Sequence, residues 1–469
     1  MKDIALIASW VARAMDGQIV AGDPAHAFDS VSIDTRTLTP GALYIGIRGE
    51  RFDGADFARA AIDAGAAGVV VPRGRSGARR GGPWSGPSAV IEVDDTTVAL
   101  QSLAREVRRA SGSNVVAITG SAGKTTTKEV AAEFLATRYR VIRNRGNLNN
   151  HIGLPLSLID LRQRPDIAVV ELGMNHAGEI RTLVGVAEPD VRVWTNVGEA
   201  HLGFFESEDA IADAKAEILE GARPETLLVS NADDDRVAAR TKTFAGRVTT
   251  FGIDRAADVR AVALLDRGIE GIRARVTTPV GDVALESPLV GRSNLANVLA
   301  GVAVAIEFGV PLAAIAEKTA ALKPAPRRGE VLKLSDVTVI DDSYNANPTA
   351  TTRAIEILAS TQAARRIAIL GEMLELGDRS VALHEDVGRA AARARVDVLI
   401  AVGGVPAAAL ADAAVRAGLP HTSVHHFTTS EEAADAAAAL VASGDLVLVK
   451  GSRGVRTDRV VDRLKAERG

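Results

Sequence analysis

Residues 115–127 read VVAITGSAGKTTT, an apolar run that ends in a glycine turn and continues as Lys-Thr-Thr-Thr. Gly120 and Gly123 bracket Ser121 and Ala122, and Lys124, Thr125 and Thr126 follow. Without Cβ atoms, the two glycines let consecutive backbone N–H groups close on phosphate oxygens. Lys124 supplies a point charge for β and γ phosphates, and a helix starting here adds partial positive charge. The Thr125 hydroxyl is placed to hold Mg²⁺. Ile118 stands five residues before Gly123, where the common loop has a glycine, so this is a shortened G-x-x-G-K-T. The competing reading is a strand-to-helix turn that binds nothing.

Phosphoryl transfer also needs metal ligands, cations around the γ-phosphate and a positioned nucleophile. Glu171 ends the apolar run IAVVE, where a charge is expensive without a partner, and it reads as a Mg²⁺ ligand or a salt-bridged structural residue. Glu199 and His201 follow another apolar run in TNVGEAHL; His201 reads equally as a ligand or a structural hydrogen-bonder. Lys215, in DAKAEIL, reads by itself as part of a solvated helix face. Asn294 and Asn297 lie one helical turn apart, suited to a purine edge or to capping. The cluster DDSYNANP, with Asp342, Tyr344, Asn345 and Asn347, suits ribose hydroxyls or a substrate, or simply a turn. Arg328 stands at a Pro-rich break from which it could reach a γ-phosphate, and KGSRG at 450–454 is a second anion-facing loop.

The elements around these residues read as α/β. In a chain of 469 residues, about three domains are expected. We place a small N-terminal α/β domain at 1–111 and a central domain at 112–323, a mostly parallel sheet flanked by helices. A Rossmann-like α/β domain at 324–469 completes the chain. Apolar runs at 42–47, 68–71, 115–119, 167–171, 191–195, 227–230, 337–341, 366–370, 396–402 and 446–450 read as strands. Those of the central and C-terminal blocks suit buried parallel strands. Residues 98–110 read as a helix, 73–87 as a Gly/Arg/Pro-rich surface loop, and 259–289 as an antiparallel insert. Ligands of such sheets sit at the C-terminal strand ends, which sets Glu171 and the stretch after Thr195 beside the phosphate loop.

Composition narrows the chemistry. Apolar residues make up 47%, but aromatics only 3%, so the cores are aliphatic. Fifty-five Lys and Arg against 59 Asp and Glu give a net charge of −4, and no basic excess calls for nucleic acid or an anionic membrane. The absence of cysteine excludes disulfides, thiolate metal sites and a Cys nucleophile. The apolar stretch 398–411 is too short for the ~20 residues of a membrane span. The N-terminal residues read as an ordinary first helix rather than a leader, and a cytoplasmic protein is expected.

Taken in order, TGSAGKTTT, the Glu171 strand end, NVGEAHL, AKAEI, GRSNLANVLA, PAPRRGEV and DDSYNANP resemble the Mur ligase family of ATP-dependent amide-forming enzymes. The resemblance covers nearly the whole chain. RGERFDGADF, GNLNNHIGLPLSL, ELGMNHAGEI and LGEMLELGD are most similar to the members that add D-alanyl-D-alanine to UDP-MurNAc-tripeptide. It implies ATP and two Mg²⁺ sites, with Thr125 and Glu171 at the first and His201 at the second. Lys215 would be carbamylated by CO₂ and support the second. Asn294 and Asn297 would face adenine, Asp342 the ribose, and Lys124 and Arg328 the phosphates. Ser32, Asp34, Thr35 and Arg36 in SIDTR match the motif that approaches the uridine nucleotide. Asn147, Asn149, Asn150, Tyr344, Asn345 and Asn347 are expected on the acceptor or substrate side, in a monomer. Two positions depart from the family pattern: Ser293 replaces a frequent His, and Arg327 replaces a Gly before the motif arginine. Competing readings are a nucleotide-dependent switch, a ligase of the same fold acting on a folate or poly-amino acid, and the ligase of the preceding step. The diaminopimelate form of that last enzyme carries DNPR, which is missing from this chain.

Overall fold

A computed structural model of the chain describes residues 3–75, 88–144, 146–199 and 203–469. Most of the expected loop at 73–87, and His201, lie outside the described residues.

Among the described residues the largest sheet has nine strands. Asn114–Thr119 lies between Ile167–Glu171 and Val191–Trp194, all parallel. Their residues are buried almost throughout, because helices cover both faces and no alternation is required. Val141–Arg143 extends the sheet beyond Ile167–Glu171, and Leu227–Asn231, Arg247–Gly252 and Val259–Asp266 extend it on the other side. Ile272–Thr278 and Gly281–Ser287 then close the edge antiparallel. The region expected as an insert is antiparallel as its alternation predicts, but it continues this sheet rather than standing apart from it.

The register matters for the site. Glu171 pairs with Ile118, and Trp194 with Thr119, so Glu171 and the segment after Thr195 flank the phosphate loop. The helix Lys124–Leu135 packs against the largely buried helix Arg292–Glu307. A Cβ at Gly301 would come within 2.6 Å of Val130, so glycine sets how closely the two axes approach.

A six-stranded sheet follows, with Asp445–Lys450 between Thr338–Asp342 and Arg365–Gly371. The five-stranded N-terminal sheet carries Ser30–Ser32, Ala42–Ile45 and Gly68–Pro72 in parallel. The helix Thr96–Ser111 joins the N-terminal and central sheets and is longer than its apolar pattern predicts. Asp95 caps it, accepting from Thr97 and Val98 N–H at 2.7 and 2.9 Å, and Gly112 ends it at φ +70°. Its stripe of Leu100, Leu103 and Val107 is fully buried, each side chain contributing roughly 1.5–3 kcal/mol. Arg108 secures the junction by donating to the Ala187, Ser113 and Glu188 carbonyls and pairing with Asp190 at 2.6 Å. No described helix is long and apolar enough to cross a membrane.

Candidate active site

The phosphate loop is held from behind by the segment that follows Trp194. Asn196 accepts from Ser121 N–H through its carbonyl and from Ala122 N–H through Oδ1, both at 2.9 Å, and Nδ2 donates to the Ala122 carbonyl at 3.1 Å. Ser121 Oγ donates to the Gly198 carbonyl at 3.2 Å. The packing is tight: a Cβ at Gly120 (φ +150°) would strike the Thr195 hydroxyl, and one at Gly123 (φ +83°) the Asn297 amide. The helix begins at Lys124, and its first turn presents N–H groups that an intrahelical acceptor cannot reach. That is the donor set an anion takes.

Lys124 Nζ donates to the Gly120 carbonyl at 2.7 Å. Desolvation lowers its pKa, Glu171 opposes that shift, and Arg328 adds to it. Arg328 therefore lies within electrostatic reach of the loop, across the break between the central and C-terminal sheets. Arg327 is engaged elsewhere, paired with Asp458 at 2.6 Å, with its backbone at φ +62°. Arg328 instead stacks on Tyr344, 4.0 Å from the ring centroid.

Glu171 is 3% exposed and fully committed. Oε2 accepts from the Thr125 hydroxyl at 2.7 Å and Oε1 from Asn149 Nδ2 at 2.5 Å. Asn144 Oδ1 in turn accepts from Glu171 N–H at 3.1 Å. Two hard oxygen donors in contact beside the phosphate loop fit Mg²⁺. Among the described residues no three His, Asp or Glu side chains converge into a metal cluster.

Lys215 corrects the reading of a solvated helix face. It lies in the helix Glu208–Ala216 and is 1% exposed. Burial pushes its amine well below the usual lysine value, and Lys124 adds a smaller push in the same direction. The helix is fixed at both ends. Ser207 caps its start, accepting from Ala210 N–H at 3.1 Å. Beyond its end, Arg192 on the neighbouring strand donates to the carbonyls of Ile218 and, at 2.6 Å, Glu220. Buried Glu217 ties the same turn to Gly178 and Arg181 N–H at 2.6 and 3.0 Å.

The remaining candidates divide. Asn297 is largely occupied: Oδ1 accepts from the Thr127 hydroxyl at 3.2 Å, and Nδ2 donates to Asn294 Oδ1 at 3.2 Å. Asn294 donates its own amide to the Val290 carbonyl at 2.8 Å and is the more accessible of the pair. Asp342 is paired with buried Lys450 at 2.6 Å, so Lys450 is not the open anion-facing group that its loop suggests. Asn345 accepts from the same amine through its carbonyl at 3.0 Å. Asn347 caps the helix Pro348–Ser360 through Ala350 N–H at 2.8 Å, and Asn150 accepts from Gly153 N–H at the same distance. Asn347 is a helix cap, and Asn150 braces the turn that leads into the helix Gly153–Ile159. Asn147 is exposed, its carbonyl accepting from Asn149 N–H at 2.8 Å.

Ser32, Asp34, Thr35 and Arg36 form a turn at the end of Ser30–Ser32. Arg36 grips Asp34, with Nη2 to Oδ2 at 2.6 Å, and holds its carboxyl at about 2. Among the described residues no hydrogen bond or ion pair joins this turn to the phosphate loop.

A cavity of about 1040 Å³ opens between Thr125 on the central side and Arg328, Tyr344 and Arg453 on the C-terminal side. Asn196, Arg192 and Glu217 were not singled out from the sequence. Asn196 stood in plain view inside TNVGEAHL, whereas the other two carry no local signal.

Three family models match in series: the Mur ligase family catalytic domain at 27–108, the middle domain at 118–305 and the glutamate ligase domain at 327–453. The UDP-N-acetylmuramoyl-tripeptide–D-alanyl-D-alanine ligase of Bacillus subtilis is 34% identical over 444 residues, spanning 92% of each chain. The chain belongs to the Mur ligase family. The first crystal structure of MurF from Acinetobacter baumannii superposes with a TM-score of 0.88 at 30% identity, covering 99% of this chain and 100% of that one. The MurF ligase of Thermotoga maritima in complex with ADP matches with a TM-score of 0.80 at 28% identity, covering 93% and 97%. The central parallel sheet and the two flanking α/β units are thus those of this Mur ligase architecture.

Proposed function

We propose that the chain is the ATP-dependent ligase that joins D-alanyl-D-alanine to UDP-MurNAc-tripeptide, giving the pentapeptide precursor of peptidoglycan. The observation that carries this reading is the meeting of the phosphate loop, the Thr125–Glu171 pair and Arg328 in one cleft, in a chain alike over its length to ligases of that name. In the proposed reaction the tripeptide carboxylate attacks the γ-phosphate, and the dipeptide amine then displaces phosphate from the acyl phosphate.

Residues 120–126 cradle the phosphates, and Lys124 and Arg328 neutralise charge that would repel the incoming carboxylate. Thr125 and Glu171 would hold one Mg²⁺, and His201 with Lys215 a second. Bound there, Mg²⁺ would polarise phosphate oxygens. Burial shifts the Lys215 amine toward the neutral form, the form that would add CO₂, losing a proton and leaving a carbamate oxygen pair. Asn294, with Asn297 behind it, is assigned to adenine and Asp342 to ribose. The Ser32–Asp34–Thr35–Arg36 turn is assigned to the uridine nucleotide, and Asn147, Asn149, Asn150, Tyr344, Asn345 and Asn347 to the substrate side. The cap made by Asn347 and the turn bonds made by Asn150 mean that these two act by shaping their loops. We assign the domains to 1–111, 112–323 and 324–469, and the working form to a cytoplasmic monomer.

Phosphate release from ATP with UDP-MurNAc-tripeptide, with and without D-Ala-D-Ala, tests the reading, with products weighed by mass spectrometry. Release that needs both substrates and yields a pentapeptide is expected. Release indifferent to both would refute it.

A further inference from the structure

The cavity between the central and C-terminal sheets has an uneven charge balance. Its acidic side chains are already matched: Asp458 by Arg327 at 2.6 Å, Glu129 by Lys128 at 3.2 Å, and Glu133 by Lys318 at 2.8 Å. Its cations are not all matched: among the described residues Lys323, Arg328, Arg453 and Arg456 have no carboxylate partner. The hydrogen bond of Arg453 runs from Nη1 to the Tyr344 hydroxyl at 3.4 Å. Its guanidinium lies 5.6 Å from the Tyr344 ring centroid, on the ring that also carries Arg328 at 4.0 Å.

The loop that presents Arg453 is fixed. Ser452 is buried, its hydroxyl accepting from Leu374 N–H at 2.9 Å. Lys450 is held by Asp342 at 2.6 Å. A guanidinium fork held this way, exposed and unneutralised, matches a carboxylate bidentately. The phosphates of the nucleotide are provided for at the other end of the cavity, by the loop before Thr125.

We propose that Arg453 is a specificity residue that binds the free carboxylate of the acceptor dipeptide. This rests on the ligase reading above. An extended dipeptide spans about 7 Å, at ~3.3–3.6 Å per residue. With its carboxylate on Arg453, the dipeptide would extend into the cavity that Tyr344, Arg328 and Thr125 also line.

The test compares the wild type with Arg453→Ala and Arg453→Lys, measuring KM for D-Ala-D-Ala and for UDP-MurNAc-tripeptide separately. D-Ala-D-Ala carboxamide serves as a second acceptor. Losing a charge-assisted bidentate contact should raise KM for the dipeptide by about 10- to 100-fold in Arg453→Ala. Arg453→Lys should recover part of that loss. The wild type should prefer the acid over the amide by a similar factor, and Arg453→Ala should not. An unchanged dipeptide KM, an equal rise in both substrates' KM, a rise for the tripeptide substrate alone, or acid-over-amide preference persisting in Arg453→Ala would each overturn the assignment. A wild type that ligates no dipeptide at all would instead refute the ligase reading, and this assignment with it.

Discussion

Replacing Lys215 with methionine separates a functional amine from a structural one. Lys215 is 1% exposed, and among the described residues no carboxylate forms an ion pair with it. Burying an amine in such surroundings costs about 1–3 kcal/mol relative to an apolar group. Methionine keeps the stem and removes the amine, so Lys215→Met should be as stable as the wild type or gain about 1–2 kcal/mol. For the unit that carries it, that is a rise in Tm of roughly 2–8 °C. Activity should move the other way. If a carbamate on Lys215 supports the second Mg²⁺, its loss should lower kcat by about 1,000-fold, the scale of removing one preorganised electrostatic stabiliser. Thermal unfolding in chelator and CO₂-depleted buffer measures the first effect, and coupled ADP release the second. Wild type stripped of CO₂ should recover activity on adding bicarbonate, and Lys215→Met should not. A loss of ~3–5 kcal/mol would mark a structural buried charge pair, and retained kcat would remove the lysine from the reaction. Either result would refute the reasoning.

Three further outcomes follow from the geometry. Glu171→Gln keeps an oxygen near Thr125 and Asn149 but loses the charge, so the Mg²⁺ concentration for half-maximal rate should rise at least about tenfold, read by metal titration at saturating ATP. Arg327→Met should lower stability by no more than ~1 kcal/mol, because its pair with Asp458 is partly solvated, while Arg328→Met should lower kcat by about 100-fold or more. Equal effects of the two on kcat would contradict the division of roles between these neighbours. The third outcome concerns His384, which is fully buried, donating from Nδ1 to the Ser380 carbonyl at 2.7 Å and accepting at Nε2 from Met373 N–H at 2.8 Å. Desolvation pushes its pKa below the ordinary imidazole value of 6.5. The unfolded chain therefore gains a proton first as pH falls, and stability should drop below pH ~6.5 by up to ~1.4 kcal/mol per pH unit until the folded value is passed. His384→Gln should flatten this part of the stability profile; an unchanged acid slope would show that other groups set it.

The sequence revealed those parts of the site whose chemistry is written in consecutive residues. The strand Ile167–Glu171 and its terminal carboxylate follow from one rule: a charge at the end of an apolar run needs a partner. Its pairing with Thr125 spans 46 positions, but sheet topology alone brings the two together. Lys215 failed the same kind of reading because its helix is short and alanine-rich. Asp209 and Asp213 form its exposed stripe and Ile211, Ala212 and Ala214 its buried side, and a lysine among charged neighbours reads with the former although it lies one turn after Ile211. Its burial is set from outside, by Arg192 on the neighbouring strand and Glu217 beyond the helix, whose partners lie 26 to 39 positions away. The same distance problem hid the Lys450–Asp342 pair, 108 positions apart, which leaves Arg453 as the exposed cation of the 450–454 loop.

The two kinds of residue differ in what they require of the fold. Gly120, Gly123, Lys124 and Thr125 need only a strand and a helix, and sequence specifies both locally. Asn196, Arg192 and Glu217 act by accepting or donating to backbone atoms, and any backbone offers the same atoms, so side-chain identity alone cannot name their partners. A phosphate loop held only by its own residues would be free to change shape when the anion leaves. Asn196 removes that freedom with three hydrogen bonds, and Asn297 seats the Gly123 turn against the helix Arg292–Glu307. The shape of the cradle is thus held by protein groups outside it. Binding energy that would otherwise order the loop is left for aligning the tripeptide carboxylate with the γ-phosphate.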